Sequence, residues 1–156
     1  MACTPERLAI AALIVAALVL GPASTASSSE GGPQQLCFGH RATITEPDSA
    51  TVEGTDDPDV IITGGRKSQI DGKGGADLIC AGGNKDLVKG GPGADKIAGD
   101  DGGDVLYGSG GDDKLLGGTS VDHLDGGSGH DICIGGPGAD FAASDRCDRI
   151  RGADAS

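Results

Sequence analysis

Nine aspartates recur at a fixed interval along the middle of this 156-residue chain: Asp59, Asp77, Asp86, Asp95, Asp104, Asp113, Asp122, Asp131 and Asp140. The interval is nine residues throughout, with Ser68 standing at the one place where the acid is missing. Carboxylates spaced regularly among glycines are donors for a hard divalent cation. Calcium takes about six to eight oxygens, drawn from carboxylates and backbone carbonyls alike. The rest of the composition favours placed ligands over general acidity. Of the 24 acids, only Glu6, Glu30, Glu46 and Glu53 are glutamate, so nearly all are the short carboxylate that serves turns and ion ligation.

Other chemistries find little support. A net charge of −12 repels phosphate, so nucleic acid is not an expected partner. His40, His123 and His130 are scattered and form no HExxH pair, which argues against a protease zinc site. Ser109 and the Ser27–Ser29 run lie in no nucleophile elbow of the GxSxG type, and the glycines around Ser128 belong to the nine-residue pattern. No GxxxxGK[ST] opens a helix. Glycosidase carboxylates need a cleft to flank, and a thin glycine-rich body offers none. The chain is therefore not expected to be an enzyme.

The elements that would position the aspartates follow from the same interval. Ten blocks of nine run without insertion from Gly54 to Ala143. Aspartate holds position six, and position eight is Ile, Val or Leu from Ile61 to Leu124, then Cys133 and Ala142. Glycine is frequent at positions one, two and four, as a turn with positive φ requires. Each block thus reads as a six-residue turn and a three-residue strand, whose middle residue points inward because side chains alternate along a strand. Two blocks make one circuit of a flattened solenoid. The predicted fold is all-β, a parallel β-roll of ten nonapeptide repeats with two per turn, and each turn leans on its neighbours.

The blocks resemble the GGxGxDxUx nonapeptide of the RTX (haemolysin-type) calcium-binding repeat, most closely in GGPGADKIA (90–98) and GGSGHDICI (126–134). The flanks resemble those of small exported actinobacterial proteins of this type, with Cys37, Gly39 and Ala42-Thr43-Ile44 before the roll and Cys147 after it. The family pattern implies that each calcium ion sits between two stacked turns on one edge, shared by a block and the next but one. The nine aspartates are then the metal ligands, and binding is coupled to folding. The two edges differ. Odd blocks carry Gly75, Gly93, Gly111 and Gly129 at position four, making Asp77, Asp95, Asp113 and Asp131 the firmest ligands, with Asp59 at the start of the series. The five even blocks, four of which carry Asp86, Asp104, Asp122 and Asp140, put Arg66, Asn84 and Ser120 at position four beside Gly102 and Gly138, and the bulkier residues should disturb the carbonyl cage there.

The remaining segments read as follows. Leu8 to Leu20 is an unbroken apolar run, followed by Ser24 and Ala26 at the small-residue positions of a cleavage site. Residues 1–26 are expected to be an export signal, since a membrane span needs about 20 apolar residues. The mature protein is then secreted and extracellular. Removing the signal removes Cys3 and leaves Cys37, Cys80, Cys133 and Cys147, an even number that favours disulfides in an exported chain. Cys133 is inward at the open end of the roll, where Cys147 can fold back. Cys80 is outward on an odd-block face rich in aliphatics, where a segment starting at Cys37 could be pinned. The expected pairs are Cys37–Cys80 and Cys133–Cys147, with residues 27–53 covering the roll, 54–143 forming it and 144–156 capping it. The alternative to a plain calcium binder is an adhesion module, in which calcium stiffens an apolar sheet face for a protein or cell-surface partner.

Overall fold

The computed structural model describes residues 36–46, 51–142, 147 and 149–151. The expected signal at 1–26 lies outside the described residues, as does most of the expected cap at 144–156. The strands in chain order are β1 (Leu36–Cys37), β2 (His40–Arg41), β3 (Ile44–Glu46), β4 (Thr51–Glu53), β5 (Val60–Thr63), β6 (Gln69–Asp71), β7 (Leu78–Cys80), β8 (Leu87–Pro92), β9 (Lys96–Asp101), β10 (Val105–Gly110), β11 (Lys114–Thr119), β12 (His123–Ser128), β13 (Ile132–Ile134), β14 (Phe141–Ala142) and β15 (Arg149–Arg151).

Apart from the β1–β2 hairpin, the strands alternate between two parallel sheets. One runs β3-β5-β7-β9-β11-β13-β15 and the other β4-β6-β8-β10-β12-β14. The register stacks equivalent positions of successive circuits. Ile61 pairs with Ile79, Ile79 with Ile97, Ile97 with Leu115 and Leu115 with Cys133. The facing sheet stacks Ile70, Val88, Leu106 and Leu124 in the same way. Every one of these position-eight side chains is buried, none more than 1% exposed, and together they form the core. The all-β parallel roll predicted from the repeat is the fold.

Two features extend beyond the repeat. The sheets begin before Gly54, because β3 joins β5 through Ile44↔Ile61 and β4 joins β6 through Val52↔Ile70. Residues 44–46 and 51–53 therefore lengthen the roll, and it is the β1–β2 hairpin that lies against the odd sheet, touching β5 and β7. β15 likewise adds a strand beside β13 at the far end. The second feature concerns length. Strands β8 to β12 run six residues, through positions one to three of the following block. Ladder pairing persists around the corner, as in Ser109↔Gly127, so the true turn is shorter than the six residues read from the sequence.

Both disulfides take the expected pairing. Cys37–Cys80 joins the hairpin to the odd sheet with Cα atoms 5.7 Å apart, and Cys133–Cys147 closes the last circuit with Cα atoms 5.8 Å apart. Cys37, Cys133 and Cys147 are buried. On the outer odd face, Ile62 and Ala98 are buried beside the hairpin, while Leu116, Ile132 and Ile134 are half-buried.

Candidate metal centre

The turns bring the position-six aspartates into two columns, one on each edge of the roll. In the odd column, Asp77 Oδ1 accepts the Asp59 N–H at 2.9 Å. Asp95 Oδ1 accepts from Asp77, Asp113 Oδ1 from Asp95 and Asp131 Oδ1 from Asp113, each at 2.8 Å. The even column repeats the arrangement. Asp86 Oδ1 accepts from Ser68 at 2.6 Å, Asp104 from Asp86 at 2.8 Å, Asp122 from Asp104 at 2.9 Å and Asp140 from Asp122 at 3.0 Å. One oxygen of each carboxylate thus ties its turn to the preceding circuit.

The other oxygen is left over. Oδ2 of Asp77, Asp86, Asp95, Asp104, Asp113, Asp122, Asp131 and Asp140 is buried and meets no hydrogen-bond donor. Buried polar atoms are nearly always satisfied, and a buried ionised oxygen without a partner is costly. Eight such oxygens stand in register, each able to accept a bond from a cation or a donor.

The backbone surrounds these oxygens closely. A β-carbon on Gly72 would lie 2.6 Å from Asp77 Oδ2 and 2.5 Å from the Gly90 carbonyl oxygen of the next circuit. On Gly93 it would overlap the Gly75 carbonyl oxygen outright. Carboxylate and carbonyl oxygens therefore converge on the space that glycine leaves open. Among the described residues, no three His, Cys, Asp or Glu side chains form a cluster able to hold a metal. A mixed set of carboxylate and backbone carbonyl oxygens suits calcium, whereas zinc favours cysteine and histidine ligands. The residues fit the ion that the repeat implies.

Electrostatics agree with the geometry. Burial pushes Asp95 up to about 7, against the hydrogen bond from Asp77, with Asp113 and Asp77 repelling it further. Burial likewise raises Asp86, Asp113 and Asp122 to about 6, and raises Asp77 and Asp104 above the ordinary carboxylate range. Without a counter-ion, the turns resist holding their own charge.

The edges differ less in shape than their sequences imply. Position four of the odd turns is left-handed at Gly75, Gly93, Gly111 and Gly129, and the even edge meets the same demand with Asn84 at φ 77°, Gly102 at 148° and Ser120 at 85°. Asparagine tolerates that region and serine does so less well. Asn84 Nδ2 also donates to the Gly65 carbonyl, and Ser68 Oγ donates to the Arg66 carbonyl at 3.0 Å. Asp59, at the head of the odd column, is different again. Its Oδ2 accepts the Thr55 N–H at 2.8 Å and the Thr55 hydroxyl at 2.9 Å, and its Oδ1 accepts the Thr43 hydroxyl at 2.9 Å. Burial alone would raise its pKa, but these bonds together outweigh burial and leave it below the usual carboxylate value. The roles of Thr43 and Thr55 were not apparent from sequence. The one available signal was a threonine at a turn position where glycine is frequent.

Four copies of the family model described as the RTX calcium-binding nonapeptide repeat match residues 53–88, 81–115, 89–122 and 107–142. Together they span 53–142, more than half of the chain. No curated protein and no solved structure matches it.

Proposed function

The chain belongs to the RTX calcium-binding nonapeptide-repeat family, and we propose that it acts outside the cell as a calcium-binding roll folded by the ions it holds. The observation that carries this reading is the row of eight buried, unpartnered Oδ2 atoms from Asp77 to Asp140, with a backbone carbonyl of the next circuit close by at Asp77, Asp95, Asp104, Asp113 and Asp122. Asp77, Asp95, Asp113 and Asp131 would hold ions along the odd edge, and Asp86, Asp104, Asp122 and Asp140 along the even edge. Bound calcium supplies the positive charge that these oxygens lack.

Coupling to folding has a physical basis. Most nine-residue blocks bury a single large aliphatic side chain, so the apolar contribution per ordered residue is small against the chain entropy lost. The repulsion between stacked carboxylates adds to that deficit until the cation arrives. Export is supported by the two disulfides, which persist in oxidising compartments, together with the leader expected over 1–26. On this reading the protein is a binder and not an enzyme. Equilibrium dialysis of the purified chain against calcium tests the proposal. Several ions should bind per chain, and Asp95→Asn with Asp113→Asn should lower the number. A chain that takes up no calcium would refute it.

A further inference from the structure

The first two turns of the roll are built differently from those that follow. From the block starting at Gly72 to the one starting at Gly126, positions two and four are both left-handed: Lys73 and Gly75, Gly82 and Asn84, Gly91 and Gly93, Asp100 and Gly102, Ser109 and Gly111, Gly118 and Ser120, Gly127 and Gly129. Lysine, aspartate, serine and asparagine accept an unfavourable backbone there, so the stack demands that conformation whichever residue is present. In the blocks starting at Gly54 and Thr63, neither Thr55 and Asp57 nor Gly64 and Arg66 adopt it.

The oxygens change accordingly. At Gly93 and Gly111 an added β-carbon would overlap the carbonyl oxygen of the preceding circuit, whereas at Gly75 the Asp57 carbonyl oxygen stands off at 2.8 Å, no nearer than its own carbon and the Pro58 nitrogen at 2.7 Å. The first odd turn therefore does not project its carbonyl as later turns do. Its acid, Asp59, is saturated by Thr55 and Thr43. The first even turn has no acid, and there Ser68 Oγ and Asn84 Nδ2 take up the Arg66 and Gly65 carbonyls.

We infer that residues 54–71 form a cation-free cap, in which protein donors do the work that calcium does elsewhere, and that the ion array starts at the turn of Asp77. This rests on the calcium reading above and adds a direction to folding. The cap is the part of the roll that needs no metal, so calcium extends an existing end toward Asp140. Two further anchors hold that end. Cys37–Cys80 pins the hairpin beside it, and Thr43 bonds β5 through its N–H to the Val60 carbonyl at 2.8 Å and its hydroxyl to the Val60 N–H at 2.9 Å.

Hydrogen exchange of the unaltered, disulfide-bonded chain in chelator tests the cap directly. Amides in 60–71 should exchange more than about tenfold more slowly than those in 105–128, and calcium should then protect 105–128. Equal exchange in the two segments in chelator would overturn the inference. Calcium stoichiometry gives a second test. Asp59→Asn should bind as many ions as the unaltered chain, whereas Asp95→Asn should bind fewer. An equal loss in the two variants would place an ion at Asp59 and overturn the cap while leaving the calcium reading intact. No uptake by the unaltered chain would overturn both.

Discussion

Replacing Asp95 with Asn should destabilise the roll in calcium and stabilise whatever structure persists without it. Asparagine keeps the Oδ1 acceptor that holds the Asp77 N–H at 2.8 Å, so the backbone tie between circuits survives. It replaces the unpartnered Oδ2 with an amide that donates, in a space shaped for a cation. Removing a group that merely supports a metal ligand typically costs roughly 10- to 100-fold in affinity, and losing a ligand should cost no less. The calcium midpoint of folding should rise by at least that factor. In chelator the sign reverses. Burial holds Asp95 at about 7 in the fold against 3.8 for a free side chain, so the folded state binds more protons and its stability falls as pH rises between those values. Each unit is worth about 1.4 kcal/mol, so above pH 7 ionised Asp95 weakens the metal-free roll by a few kcal/mol. Asparagine carries no such charge. Circular dichroism of both proteins at about pH 8, in chelator and through a calcium series, reads both effects. A loss of structure of the same sign in both conditions would refute the charge argument, and an unchanged midpoint would refute ligation by Asp95.

Other expectations follow from the same geometry. Asp95→Ala and Asp113→Ala should each cost more calcium-dependent stability than Asp86→Ala and Asp122→Ala, because Asn84 and Ser120 strain the even turns while Gly93 and Gly111 serve the odd ones; thermal melts in calcium compare the four. Gly93→Ala should cost more than about 2 kcal/mol, a change in the large class for point substitutions, because its φ is 146° and its β-carbon would overlap the Gly75 carbonyl oxygen; denaturant titration in calcium measures the loss. Replacing Cys133 and Cys147 together with serine should cost about 3 kcal/mol in the chain-entropy view, for a bridge spanning 14 residues. That loss should be accompanied by faster exchange in β13, whereas the far end at β5 should be unaffected.

The parts of the roll that obey the nine-residue interval were legible in the sequence. Position eight gave the inward column from Ile61 to Cys133, and placing Cys80 outward and Cys133 inward led to both disulfides. Features that break the interval were hidden. Ile44 and Val52 stand only eight residues apart and lack the Gly/Asp signature, so nothing marked β3 and β4 as an added circuit. The strand continuation through positions one to three was masked by the very glycines that read as turn. The division of labour within each carboxylate was also out of reach, because the Asp77 N–H that bonds Asp95 Oδ1 lies 18 residues away and becomes a neighbour only when circuits stack. Thr43 and Asp59, 16 residues apart, meet for the same reason.

The central claim is that calcium supplies the charge that these buried carboxylates lack and thereby folds the chain. A calcium titration of the purified protein, followed by far-ultraviolet circular dichroism, tests it most directly. Excess chelator should leave little β signal beyond the amino-terminal turns, and millimolar-range calcium should produce the full roll cooperatively. Magnesium should substitute poorly, because it requires near-octahedral geometry and gives up water reluctantly. An equal β signal in chelator and in calcium would contradict the account.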